Sequence, residues 1–321
     1  MTSKHVLLVC DADRARGSGH VMRMITLGTS LNELGVKVTL LAHELPESLK
    51  IIAIHHGLSV EYRSLSQSNE NLASSISVST YQAIVFDGYE FSTHLFTELS
   101  QRGEQVVVID DNGDHALATC EMIVNPNLHA SEDMYATNQT CHRFLLGAKF
   151  AIIRKDIQHQ RLRHFEQRDG IFLGLGGTDP LDLSTHISEA LAGRCSSVIR
   201  RSKGVLNSTI TSISEMGSLM AQSRIGIIAF GTTTWEALYL GLPFVGLIVA
   251  DNQTLVAESL KQLNLADVFD CRQDVEVDQI AAAVTDLYDD MILLMERSAA
   301  GQRIVDGFGA SRVAQEILSS G

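Results

Sequence analysis

The chain has 321 residues and carries 38 acidic against 25 basic side chains, a formal net charge of -13. That length exceeds what one hydrophobic core usually fills, so two domains are expected. The basic residues are dispersed rather than gathered into a stripe, which argues against nucleic acid as a partner, although backbone amides in a local pocket can still bind a small anion. No apolar run reaches the ~18 residues of a membrane-spanning helix, and the first twenty residues are too polar for a signal peptide, so a cytoplasmic protein is expected. The five cysteines, Cys10, Cys120, Cys141, Cys195 and Cys271, are odd in number and hold no Cys-x-x-Cys pair. They read as reduced core thiols, with no metal site expected. The Asn-x-Thr/Ser triplets at Asn138, Asn207 and Asn252 would matter only in a secreted chain.

The first element is the apolar, branched run His5-Val6-Leu7-Leu8-Val9-Cys10, short enough for a buried strand. Gly17-Ser18-Gly19-His20-Val21-Met22-Arg23 follows. Met22, Ile25, Leu27, Leu31 and Leu34 then recur at helical spacing, with Gly35 as the stop. Glycines let the backbone approach a ligand, and the helix N-terminus offers unpaired N-H groups to an anion. His20 stands at that mouth. Further strands are expected over 37–42, 83–87, 105–110, 122–125, 170–175, 224–230 and 244–249, alternating with helical runs. Such alternation predicts parallel sheets with helices on both faces.

The charged stretch from Arg154 to His164 precedes the strand at Gly170 and places a domain boundary there. The expected organisation is an N-terminal Rossmann-like domain over 1–155, a linker over 156–169 and a second Rossmann-like domain over 170–321. The two are expected to face across a cleft that binds the ligand.

The loop Gly174-Leu175-Gly176-Gly177-Thr178-Asp179-Pro180 predicts Asp179 as a helix N-cap with Pro180 at the first helical position. Gly176, Gly177 and Thr178 would then face the cleft, unless the loop is merely a tight turn. A third loop, Phe230-Gly231-Thr232-Thr233-Thr234-Trp235-Glu236, offers hydroxyls and amides of the type that hold phosphate. Glu236, a turn further on, suits the two hydroxyls of a ribose, or is a first-turn acid favoured by the helix dipole. Asp87, Tyr89, Asp110 and Asp111 lie at N-terminal strand ends, either as polar partners for a sugar or as caps and turn residues.

These segments occur in order with Ile109-Asp110-Asp111, Asn125-Pro126-Asn127, Leu145-Leu146-Gly147, Gly241-Leu242-Pro243, Asp251-Asn252-Gln253 and Asp306-Gly307-Phe308-Gly309 followed by Arg312. Over nearly its whole length the chain resembles the UDP-2,4-diacetamido-2,4,6-trideoxy-β-L-altropyranose hydrolases of pseudaminic acid biosynthesis and the related spore coat polysaccharide proteins. It is more distantly similar to the UDP-GlcNAc transferase of peptidoglycan synthesis. The resemblance implies the glycosyltransferase B fold, with the nucleotide on the C-terminal domain, no metal, and a last helix that crosses back to the first domain. It also implies that His20 is the catalytic base, that Gly231, Thr232 and Thr233 bind diphosphate, that Glu236 holds the ribose, and that Asn252 and Gln253 reach the sugar. Gly17 and Gly19 would line the substrate.

Three positions depart from the pattern. Phe230 stands where relatives have a glycine beside the phosphates, a place from which a benzyl group can crowd or re-aim the loop. Arg16 replaces an apolar residue and Phe150 a tyrosine. Two helix N-termini of roughly half a charge each do not balance the charge of a UDP, so a cation is expected from Arg16 or Arg23, with Arg200, Arg201 and Lys203 behind them.

Hydrolysis at an anomeric carbon needs a positioned water, a base and stabilisation of the departing diphosphate. A helix N-terminus keeps an imidazole neutral, as a base requires. A glycosyltransferase of the same fold differs only in the acceptor. A nicotinamide oxidoreductase is suggested by Gly-x-Gly and Glu44, but Met22 stands where the third glycine belongs. A non-catalytic nucleotide-sugar binder is the third alternative.

Overall fold

A computed structural model of the chain describes residues 4–12, 18–63, 69–76, 80–138, 140–160, 164–176, 179, 182–192, 194, 199–201, 210–273 and 275–319. Arg16, Gly17, Gly177, Thr178, Pro180, Cys195, Lys203 and Asn207 lie outside the described residues. The chain divides into two compact units, Met1–Ile152 with Phe308–Gly321, and Ile153–Gly307.

The first unit is built on seven strands: β1 (His5–Val9), β2 (Lys37–Ala42), β3 (Ser59–Tyr62), β4 (Ala83–Asp87), β5 (Val106–Ile109), β6 (Cys120–Asn125) and β7 (Cys141–Leu146). They pair in the order β3-β2-β1-β4-β5-β6-β7, all parallel. Because β1 has β2 on one side and β4 on the other, the order reverses at β1 and β4. A parallel sheet opens a binding crevice outside the carboxyl ends of its strands at such a reversal. The helix Gly19–Glu33 follows β1 and buries Val21, Met24, Ile25, Leu27 and Leu31. It stops as the sequence predicts, with Gly35 at φ +79 and its N-H on the Asn32 carbonyl.

The second unit carries β8 (Ile171–Gly174), β9 (Ile199–Arg201), β10 (Ile225–Ala229), β11 (Phe244–Ile248) and β12 (Ala266–Asp270). Their order is β12-β11-β10-β8-β9, again parallel, and it reverses at β8 and β10. Each sheet has its own buried cluster, one around Phe86, Phe96 and Tyr135, the other around Ile171, Ile225 and Val245.

The closing helix Gly309–Ser319 packs on the first unit. A Cβ at Gly309 would lie 2.1 Å from the Ala151 carbonyl oxygen, so only glycine permits that approach. Arg143 of β7 donates to Glu316 Oε2 at 2.9 Å, and Gln105 to the Ile317 carbonyl at 3.0 Å.

The stretch around the expected linker, 156–169, holds defined structure where it is described. Lys155–Gln158 makes one helical turn, and Arg168 donates to the Leu240 and Gly241 carbonyls at 2.9 Å each, capping the end of the helix Thr232–Leu240. The four described cysteines are free thiols. Among the described residues no helix is long and apolar enough to cross a membrane.

Candidate functional site

Ser18 precedes the helix Gly19–Glu33, which places His20 in its first turn and Arg23 one turn further on. Both side chains meet Asp87, the last residue of β4. His20 Nδ1 lies 2.7 Å from Asp87 Oδ1. Arg23 donates through Nε to Asp87 Oδ2 at 2.8 Å and through Nη2 to Oδ1 at 2.7 Å. Its other edge donates through Nη1 to Asp111 Oδ1 at 2.7 Å and through Nη2 to Oδ2 at 2.9 Å. Asn127 Nδ2 reaches Asp111 Oδ1 at 3.0 Å, and the half-exposed Tyr89 hydroxyl reaches Oδ2 at 3.4 Å. The Tyr89 ring stands edge-on to His20 at 5.1 Å. The cluster lies at the reversal of the first sheet.

These contacts set the charges. Burial pushes both carboxylates up, but Arg23 and His20 together, with an Asn127 hydrogen bond at Asp111, outweigh it, so Asp87 and Asp111 are held below the usual carboxylate range. Burial pushes the His20 ring down, yet the Asp87 carboxylate outweighs it, and His20 titrates above its ordinary 6.5. The expectation of a ring kept neutral by its helix terminus is thereby corrected. A carboxylate at hydrogen-bond distance exceeds half a dipole charge. With Nδ1 donating to Asp87, the lone pair sits on Nε2.

Asp110 has a different place. Its carboxylate accepts from the Gly113, Asp114 and His115 amides at 3.0, 3.1 and 3.2 Å and from the Tyr135 hydroxyl at 3.3 Å. It caps the turn after β5, which is the second of the two roles that the sequence allows. Asn127 and His129 join Asp111 without having been assigned from the sequence: His129 Nε2 lies 2.9 Å from the Asp111 carbonyl, and its buried Nδ1 has no hydrogen-bond partner among the described residues. The Asn125-Pro126-Asn127 motif was the available signal.

In the second unit, Gly176 takes φ +88, a left-handed conformation that suits glycine. Asp179 accepts from the Leu183 and Ser184 amides at 2.9 Å each. It caps as predicted, but the helix, Leu183–Ala192, begins later than Pro180. Gly231, Thr232 and Thr233 open the helix Thr232–Leu240, with the Gly231 N-H donating to Thr234 Oγ1 at 3.1 Å.

Phe230 turns away from this loop. It is 2 % exposed, sits edge-on to Phe244, and occupies the space above Gly246, where a Cβ would lie 2.0 Å from its ring. Gly246 makes the room, and the crowding that the sequence allows does not arise. Gln253 accepts from the Val249 N-H at 2.8 Å, and Asn252 is exposed beside it.

Glu236 is paired. Arg154 donates through Nε to Oε1 at 2.6 Å and through Nη2 to Oε2 at 3.3 Å, with side-chain exposures of 7 % and 4 %. Burial raises the Glu236 carboxyl against the pull of Arg154. Among the described residues Arg154 Nη1 is buried without a hydrogen-bond partner, 3.6 Å from Asp156. The sequence offered no signal for this pair beyond Arg154 standing in a charged run. Arg200 and Arg201 instead bind Asp169 and the hydroxyls of Ser184 and Thr185.

No protein-family model matches the chain. It is 21% identical to the spore coat polysaccharide biosynthesis protein SpsG of Bacillus subtilis, over 96% of each chain. Among solved structures it superposes on MurG of Acinetobacter baumannii with a TM-score of 0.68 at 14% identity, covering 98% of this chain and 99% of that one. S. aureus MnaA, solved with UDP, gives 0.69 at 11% identity over 99% and 96%. The resemblance to the spore coat polysaccharide proteins is thus borne out, and the fold is that of glycosyltransferase B, two α/β units each built on a parallel sheet.

Proposed function

We propose that this protein acts on a nucleotide sugar in polysaccharide biosynthesis, and more specifically that it hydrolyses a UDP-linked diacetamido-deoxy sugar at the anomeric carbon, releasing UDP with inversion. The reading is supported by the SpsG and MurG likenesses and by the UDP bound in the MnaA structure. The observation that carries the chemistry is the His20 Nδ1 contact to Asp87 Oδ1 at 2.7 Å, which leaves Nε2 to take a proton.

In this reading the second unit holds the nucleotide, with Gly231, Thr232 and Thr233 on the diphosphate, Gly176, Gly177, Thr178 and Asp179 on the neighbouring loop, and Glu236 on the ribose. Asn252 and Gln253 reach the sugar. Gly17, Gly19, Arg16, Tyr89 and Asp111 belong to the sugar side, where His20 takes the proton of the attacking water. Asp87 holds the ring and offsets the positive charge that forms on it. UDP departs carrying the electron pair of the broken anomeric C-O bond.

No metal enters this scheme, and Asp87 and Asp111, the acidic pair nearest His20, are already engaged by Arg23. Activity is expected to survive EDTA; loss on chelation and recovery with magnesium would overturn the metal-free scheme.

The test is UDP release from a panel of UDP-sugars, followed by NMR with the first-formed anomer identified. Release of free sugar in water with inversion supports hydrolysis. Release only when a sugar or lipid hydroxyl is supplied would make the protein a glycosyltransferase, and binding without release would make it a nucleotide-sugar binder.

A further inference from the structure

Arg23 is 7 % exposed, and its guanidinium is committed on two edges, one to each of two carboxylates. One Arg–Asp pair would neutralise it. The second carboxylate leaves the group with a surplus negative charge when His20 is neutral, and His20 sits on that surplus. Asp87 Oδ1 is shared, at 2.7 Å from both His20 Nδ1 and Arg23 Nη2, and Arg23 Nη2 itself lies 3.3 Å from Nδ1. Among the described residues, the groups that act on the ring include Arg23 on its own helix, Asp87 at the end of β4, Tyr89 beyond that strand, and Asp111 beyond β5.

We propose that Arg23 is a positioning residue for His20: it holds both oxygens of Asp87, fixes Nδ1 as the side that donates to Asp87, and offsets enough carboxylate charge that Nε2 can be vacated for the next proton. The proposal rests on His20 being the base of the reaction proposed above. Without Arg23, His20 would be the one cation that the described residues of this cluster set against two carboxylates, and the imidazolium would be trapped. Without Asp111, Arg23 would act on Asp87 alone, and the ring would lose a proton more readily. The cationic contribution of Arg23 and the anionic one of Asp111 at the ring oppose each other, as this account requires.

The test is an NMR titration of the His20 ring in the substrate-free protein, with its signal assigned by loss in His20→Asn. Arg23→Gln is expected to move the His20 titration up by on the order of one pH unit, and Asp111→Asn to move it down. Arg23→Lys, a cation without the fork, should fall between wild type and Arg23→Gln. The acid limb of the rate profile should shift in the same directions.

Arg23 as a purely structural tie would lower activity in both variants without opposite titration shifts, and that result overturns the proposal. Should Arg23→Gln fail to fold, Asp111→Asn decides alone: a titration that stays or rises overturns it. Opposite shifts together with a fully active His20→Asn would leave only the charge coupling between Arg23 and His20, and would remove His20 as the base and with it the positioning role of Arg23. An inactive His20→Asn with an unmoved titration would keep His20 as the base and overturn the Arg23 proposal.

Discussion

The His20 cluster and the Arg154–Glu236 pair are two ways of placing charge on the helices that follow β1 and β10. In the first, two carboxylates face one guanidinium and one imidazole, with His20 at 16% side-chain exposure and Asp111 at 18%. In the second, one guanidinium and the Glu236 carboxylate are nearly sealed from solvent, with Asp156 3.6 Å from the far nitrogen of Arg154 and no histidine among the partners. An unbalanced, partly wetted group changes its charge by moving a proton. A dry pair with no histidine beside it keeps its charge and holds a shape. The difference is in keeping with the proposed reading, in which the first unit moves a proton and the second holds the nucleotide.

The largest expected effect breaks the dry pair. Arg154→Met would leave the Glu236 carboxylate buried and uncompensated, and should cost roughly 3 to 5 kcal/mol of stability. Thermal or urea denaturation checks it; a loss below about 1 kcal/mol, the level of an exposed surface pair, would show that the pair is open to solvent and erase the contrast.

Next comes the proton-moving group. His20→Asn should cut turnover by roughly 100-fold or more while leaving UDP affinity nearly unchanged, because the proposed nucleotide loop lies in the other unit. Calorimetry with UDP alongside the rate measurement separates the two, and a parallel loss of UDP affinity would place His20 in the nucleotide site.

A smaller effect sharpens the role of Glu236. If its carboxylate accepts from ribose hydroxyls, UDP should bind better than 2′-deoxy-UDP by about 1 to 3 kcal/mol, and Glu236→Ala should abolish the difference. Equal affinities in the intact protein would leave Glu236 solely as the partner of Arg154.

The smallest and most diagnostic effect is on pH. Because His20 titrates above 6.5 and must be neutral to act as a base, kcat/KM should fall as the pH drops through a value above 6.5. Its contribution to stability has the opposite sense. It is fully present below 6.5 and is lost as the pH rises through the raised value. An acid limb below 6.5 would contradict the Asp87 contact.

Eight strands were legible in the sequence: β1, β2, β4, β5, β6, β8, β10 and β11. All are interior to their sheets, and they read as continuous apolar runs. The four not anticipated, β3, β7, β9 and β12, are the four sheet edges. Glu61 and Tyr62 on β3, His142 and Arg143 on β7, and Arg200 and Arg201 on β9 interrupt the apolar pattern because an edge is open to water.

Of the candidate site, the sequence by itself determined what depends on neighbours in the chain. The glycine loops, the start and stop of the His20 helix, and the capping by Asp179 follow from local conformation and turn chemistry. Only the tertiary structure decided which charges meet. Asp87 and Asp111 are 64 and 88 residues from Arg23, and Glu236 is 82 from Arg154. In the first unit β4 returns beside β1 and β5 beside β4, and in the second the segment before Lys155–Gln158 folds onto the helix after β10; only these long-range contacts bring such groups within hydrogen-bond reach. Tertiary pairing also hid the fate of Phe230, whose room is made by Gly246 on the neighbouring strand.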